Sequence, residues 1–308
     1  MIGIDIGGAN LKVVDEKGVH IHYCPLWRDS PLPHLLAQYA GEPAAVVMSG
    51  ELADCFSSKA EGIAFIVNTV KDVCPDACFY GTDGRFHEGA VPGLAAANWL
   101  VAADYLRSAF PRSVLVDMGS TTTDIIPLSP FSRLLGMTDL ARLQQGYLVY
   151  TGLLRTNLVA LLRSVTLREI PTPVASEYFA QTADVHRVIG TIGDREYSVP
   201  TPDGADTSRE ASLRRLARVV CADLEEIGDE GAVAVAEQAW EIQSRTIRDA
   251  VGAMVQESGN EMILAAGVGS GCIARLCGAR DLTKELGPVS DALPAYAVRE
   301  VLLRSGGC

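Results

Sequence analysis

An apolar strand that ends in Asp-x-Gly and folds straight into a turn of small residues occurs twice in this chain, 112 residues apart. The first copy runs Ile2-Gly3-Ile4-Asp5-Ile6, Gly7-Gly8-Ala9-Asn10, Leu11-Lys12-Val13-Val14. The second runs Val114-Leu115-Val116-Asp117-Met118, Gly119-Ser120-Thr121-Thr122, Thr123-Asp124-Ile125-Ile126. Placing Asp5 on Asp117 also places Gly7 on Gly119, Gly8 on Ser120 and Asn10 on Thr122. Two unrelated hairpins would explain the glycines, which are common in tight turns. They would not explain a carboxylate at the end of an apolar strand, twice, at one register. The repeat therefore predicts two related α/β domains, each opening on a hairpin and carrying a mixed sheet, facing one another across a central cleft.

At 308 residues the chain is about twice the usual domain length, which suits one domain per hairpin. The expected boundaries are 1–111 and 112–308, because Pro111 stands just beyond a helical pattern over 95–110. Within the first domain, Ala44–Met48 reads as a buried strand, 58–73 as a helix and Cys78–Tyr80 as a strand. The second continues with helical patterns near Leu140, Leu153, Ser176 and Arg209, a Pro- and Gly-containing loop at 199–204, and a long helix over 231–258. It closes with the apolar strand Met262–Ala266, the turn Gly267-Val268-Gly269-Ser270-Gly271 and a helix from Cys272.

Composition narrows the function classes. Hydrophobic residues are 48% and charged residues 21%, which excludes a disordered or collagen-like chain. Lys plus Arg number 26 against 38 Asp plus Glu, a net charge of −12, so a nucleic-acid partner is not expected. No run of about eighteen apolar residues is present, so no membrane span is expected. Met1 leads directly into a strand with no cationic leader, which points to the cytoplasm. Eight Cys are too few for a disulfide scaffold, and Cys74/Cys78 and Cys272/Cys277 lack zinc spacing; they read as thiols. Cys221 reads as helical core.

An acidic chain binds phosphate through local devices, and the three turns supply them. Gly7, Gly8, Asn10, Gly119, Ser120, Thr121, Thr122 and Thr123 offer backbone amides and hydroxyls in small concavities that a phosphate can approach. Asp5 and Asp117 are placed to hold a divalent cation, and Mg²⁺ suits a few carboxylates, water and phosphate oxygens. Lys12 adds a point charge. The third turn, with Gly267, Gly269, Ser270 and Gly271, gives room for a planar ring or another phosphate, although such a turn often serves strand–helix packing alone. Glu51, Asp83 and Asp124 are candidate bases; Glu51 serves equally well as a helix cap, and Asp83-Gly84 reads first as a turn. Arg155 fits an anionic substrate group or an interface ion pair. Trp99 reads as core, and His87 and His186 have no triad spacing, which argues against a Ser-His-Asp hydrolase.

The trio I-G-I-D-I-G-G-A-N, V-D-M-G-S-T-T-T-D and L-A-A-G-V-G-S-G resembles the two phosphate motifs and the adenosine motif of the superfamily that holds actin, sugar kinases and heat-shock chaperones. Within it, D-M-G-S-T-T-T-D is similar to the hydantoinase and oxoprolinase relatives. S-G-E-L-A-D-C-F, Y-T-G-L-L-R-T, A-D-V-H-R-V-I-G and A-R-V-V-C-A-D resemble, over nearly the whole chain, the methanofuran-biosynthesis enzymes of archaea and their methylotroph relatives in tetrahydromethanopterin-linked one-carbon transfer. The resemblance implies two actin-like (ribonuclease H-like) domains. It also implies a transferase that couples an aminomethyl-furan-methyl diphosphate to the phenol of γ-glutamyltyramine, releasing diphosphate, with Mg²⁺ at Asp5 and Asp117. Arg155 and Asp83 would then face substrate, the former on the glutamyl carboxylates. The alternatives are an ATP-dependent small-molecule kinase or hydantoinase/oxoprolinase-like hydrolase, and third a nucleotide-binding switch module; ATP enters only there. The oligomeric state, a homodimer included, is not set by the residues.

Overall fold

The computed structural model describes residues 1–28 and 30–308. The strands are β1 (Ile2–Ile6), β2 (Asn10–Asp15), β3 (Gly18–Tyr23), β4 (Ala44–Met48), β5 (Cys78–Tyr80), β6 (Phe86–His87), β7 (Ser113–Met118), β8 (Thr123–Pro127), β9 (Leu148–Val149), β10 (Ser164–Leu167), β11 (Ile170–Pro173), β12 (Met262–Ala266) and β13 (Arg280–Asp281). The α-helices are α1 (Leu32–Leu36), α2 (Lys59–Val73), α3 (Asn98–Leu106), α4 (Asp139–Gln145), α5 (Thr182–Val188), α6 (Arg209–Arg218), α7 (Leu224–Ser258), α8 (Ser270–Cys277), α9 (Thr283–Leu286) and α10 (Leu293–Ser305).

The repeat read in the hairpins extends to whole sheets. One sheet has the order β3-β2-β1-β4-β5-β6 and the other β9-β8-β7-β12-β13. In both, the first strand is antiparallel to the second and parallel to the fourth. The parallel fifth strand follows on the same side. Every residue of β1 and of β4 is buried, as unbroken apolar strands are when both faces are covered. Ile2, Ile4 and Ile6 share a core with Leu32, Leu36, Ile63 and Ile66 of α1 and α2. A second core joins Trp99 and Leu100 of α3 to Val114, Val116, Ile125 and Leu264 of the other sheet. Helices α5, α6 and the first half of α7 form a helical layer with its own core around Val185, Leu216 and Val235.

Several local expectations change. No helix forms at Leu153, because the amides of Leu153, Leu154 and Arg155 donate to the carbonyls of Gly119 and Ser120 instead of to a helical turn. None starts at Ser176 either; the helix begins at Thr182, where Gln181 and Asp184 form a capping box. The helix expected over 95–110 is the shorter α3. The ribbon of β10 and β11 and the terminal helix α10 had no counterpart in the sequence reading; α10 crosses back to pack on β1, β4 and α3. Cys221 is exposed in the turn after α6, with φ 57, rather than core. The side chains of Cys78 and Cys308 stand together, Cα atoms 6.2 Å apart.

Candidate active site

The ends of β1 and β7 bring the paired carboxylates into one charged cluster. Asp5 stands across the hairpin from Lys12, and Asp117 across from Asp124. Asp5 is 5% exposed, and its Oδ1 has no hydrogen-bond partner among the described residues. Burial pushes the Asp5 pKa up to about 6, opposed by the charge of Lys12 and assisted by that of Asp124. Burial also pushes Asp117 up to about 7, with Asp124 and Asp5 adding to the rise and Lys12 opposing it. Lys12 Nζ is held by the carbonyl of Asp291 at 2.8 Å. Both Asp5 and Asp117 thus sense the same lysine and the same third carboxylate.

The two turns are braced differently. In the first, Gly7 N donates to Asn10 O, while the amides of Cys24 and Leu26 donate to Ala9 O and Gly8 O. A Cβ on Gly8 would meet nothing within 4 Å, so that turn is open to a ligand. The second turn rests on a buried polar network that sequence reading missed. Gln243 Nε2 donates to Thr151 Oγ1 and to Gly152 O, both at 2.8 Å, and Thr182 Oγ1 donates to Gly152 O at 3.0 Å. Gly152 lies so close that a Cβ would stand 2.6 Å from the Thr121 backbone. Ser120, Thr121 and Thr122 stay half-buried beside this support. Thr123 differs from expectation: it is fully buried and its hydroxyl donates to Thr151 O at 2.8 Å, so it braces the turn rather than facing a phosphate.

Asp124 forms an ion pair with Arg142 of α4, another residue without a sequence signal. Arg142 also pairs with Asp139 at 2.8 Å. Burial raises the Asp124 pKa and Arg142 pulls it down. Glu51 is 1% exposed, its Oε2 is unpartnered among the described residues, and burial raises its pKa against the charge of Lys59. Asp83 does not join the cluster: it lies in the exposed β5–β6 turn, accepting from Arg85 N and paired with His87 at 3.1 Å. Of the third turn, Gly267 adopts φ +77, and a Cβ there would stand 2.2 Å from Asp117 Oδ1; Gly269 is closed in by the Met118 side chain. Those two glycines serve close packing on β7, while Gly271 has open room, its nearest neighbour Arg275 Nη1 at 3.7 Å. Ser270 is 5% exposed and opens α8.

Among the described residues, no three His, Cys, Asp or Glu side chains gather closely enough to hold a metal ion on their own. Buried Asp5, with its orphaned oxygen, and half-buried Asp117 fit a Mg²⁺ that completes its shell with water and phosphate oxygens. No described helix is long and apolar enough to cross a membrane.

Two sheets of one strand order, each ending its first strand on a carboxylate beside a small-residue turn, define an actin-like α/β protein. The chain belongs to the hydantoinase/oxoprolinase family, whose model matches residues 42–298. It is 37% identical over 284 residues to a (4-{4-[2-(gamma-L-glutamylamino)ethyl]phenoxymethyl}furan-2-yl)methanamine synthase of Methanocaldococcus jannaschii, covering 87% of this chain and 86% of that one. A synthase of the same name from Methanococcus vannielii is 38% identical over 156 residues, covering 51% of this chain and 70% of its own. Among solved structures, a nucleotide-free acetone carboxylase aligns at 11% identity with a TM-score of 0.45 over 94% of this chain, which spans about half (51%) of that protein.

Proposed function

We propose that this chain is a transferase of methanofuran biosynthesis that joins an aminomethyl-furan-methyl diphosphate to the phenol of γ-glutamyltyramine. The observation that carries the reading is the pair Asp5 and Asp117, clustered with Lys12 and flanked by two amide-bearing turns, in a chain 37% identical to a synthase whose named product is an aryl furfuryl ether. The amides of Gly8 and Ser120–Thr122 would receive the diphosphate oxygens, and Lys12 would balance their charge. Asp5 and Asp117 would hold Mg²⁺, which when bound supplies positive charge against the leaving diphosphate.

In the coupling, the phenol oxygen forms a C–O bond to the furan methylene carbon as that carbon's bond to the diphosphate oxygen breaks. Diphosphate leaves with the bonding pair. Charge developing on the carbon is spread into the furan ring, so the residues around it need only stabilise the departing anion. The phenol proton passes to Asp124, which Arg142 favours in its ionised form. Glu51 remains a second buried acidic group, just after β4.

Incubating the purified protein with Mg²⁺, γ-glutamyltyramine and the furan diphosphate, without ATP, and following product by mass spectrometry tests the reading. Coupled ether and free diphosphate support it. Product that requires ATP and the furan alcohol would replace it with the kinase reading.

A further inference from the structure

Each glycine turn is backed by a segment whose next residues line one pocket of about 300 Å³. From the first half come Tyr23, Trp27 and Arg28, just around the Cys24 and Leu26 amides that hold Ala9 and Gly8. From the second come Arg155, Tyr178 and Gln181, with the Arg155 amide itself on Ser120 O at 2.9 Å. The pocket thus abuts both turns without using any residue assigned to the diphosphate.

Two features specify an occupant. Nε and Nη2 of Arg155 are buried and have no hydrogen-bond partner among the described residues. These two nitrogens form the side-on fork of a guanidinium, whose spacing matches the two oxygens of a carboxylate. Leaving two charged donors buried and unpaired is unfavourable, so the fork is built for an anion that arrives with a ligand. The second feature is a set of aromatic rings left open to solvent at one place: Tyr23 is 50% exposed, Trp27 42% and Tyr178 48%. Gln181 fixes this wall, since its Oε1 accepts from Tyr178 Oη at 2.6 Å and its Nε2 donates to Pro200 O at 2.9 Å.

We propose that this pocket is the acceptor subsite, taking an aryl ligand that carries a carboxylate, with the carboxylate on the Arg155 fork and the ligand's apolar body against Tyr23, Trp27 and Tyr178. It rests on the transferase reading for the identity of the ligand, and it makes the γ-glutamyl group, not the phenol alone, the feature that the chain selects. Arg28, at the rim, adds a second cation for the same group.

The test titrates wild type, Arg155→Met and Arg155→Lys with γ-glutamyltyramine, with tyramine and with inorganic diphosphate by calorimetry, and then measures KM for each acceptor. Wild type binds γ-glutamyltyramine roughly tenfold or more tighter than tyramine. Arg155→Met removes that preference and raises the acceptor KM, while diphosphate binding is retained; Arg155→Lys restores part of the preference. Equal binding of both amines by wild type overturns the proposal, as does an unchanged preference in Arg155→Met. Loss of diphosphate binding in place of acceptor binding reassigns the fork to the donor and also overturns it. Because titration needs no turnover, Arg155-dependent binding without ether formation sinks the transferase reading alone. Ether formation with Arg155-independent preference sinks the subsite alone.

Discussion

The guanidinium of Arg142 pairs with Asp124 while its carbon centre lies 4.4 Å from the middle of the Trp99 ring. An acidic group of the second hairpin is therefore positioned by a cation that is itself held by a helix of the first half. Arg142→Met leaves the Asp124 carboxylate without its partner and the ring without its cation. It should lower kcat by roughly a hundredfold, in the range of general-base loss. Arg142→Lys should recover little, since an ammonium matches neither the stack nor the fork. Steady-state kinetics on the three proteins decides this, and unchanged kcat in Arg142→Met would remove Asp124 from the proton path.

Asp117→Asn neutralises one carboxylate with little change of shape. The variant should keep its melting temperature without Mg²⁺ but lose the rise that Mg²⁺ with diphosphate produces in wild type, together with most turnover. Carboxylates pushed up to about 6 and about 7 hold protons in competition with a cation. Cation-induced stabilisation should accordingly be larger near about pH 8 than near about pH 5.5, because fewer protons must leave at the higher pH. Thermal scans across this range check the sign, and a rise independent of pH would contradict it.

Gly152→Ala adds a Cβ where Thr121 backbone atoms stand 2.6 Å away. The second turn must shift, so diphosphate affinity should fall about tenfold or more, by the arithmetic of one lost or strained anion contact. Calorimetry with diphosphate and Mg²⁺ reads this directly; wild-type affinity would mean that the turn is not part of the anion site.

His186 is fully buried, its Nε2 against Gln243 Oε1 at 3.2 Å and its ring edge to Trp240. Burial lowers its pKa from 6.5 to about 4. Its folded pKa lies below the unfolded one, so the unfolded chain takes up the proton first as pH falls. Stability is complete above about pH 6.5 and is lost down to about pH 4, by up to about 3 kcal/mol. Urea midpoints of wild type and His186→Gln should converge over that window, the variant lacking this component of the pH slope.

Arg215 and Asp184 form an ion pair at 2.7 Å with both side chains fully buried in the helical layer. Removing the cation alone, as in Arg215→Met, leaves Asp184 charged and enclosed, and should cost about 3–5 kcal/mol. A urea midpoint equal to wild type would show that the pair contributes nothing.

What the sequence determined by itself was the doubled hairpin and, through it, two related α/β halves with mixed sheets, while their common strand order came from the fold. Periodicity, apolar runs and Gly turns are local properties, and they located Asp5, Lys12, Asp117 and the open amides of both turns before any packing was known. The tertiary structure decided the rest, because it depends on partners distant in the chain. Arg142 became the companion of Asp124 only through α4 packing near Trp99, and Thr123 became a brace only when Thr151 folded beneath it. Leu153 failed to start a helix because its amide met Gly119 first. Arg155 joined Tyr23 and Trp27 only when the two halves, 132 residues apart at Tyr23 and Arg155, closed on one pocket. A hydrogen bond or a charge acts through space, and only the folded chain sets those distances.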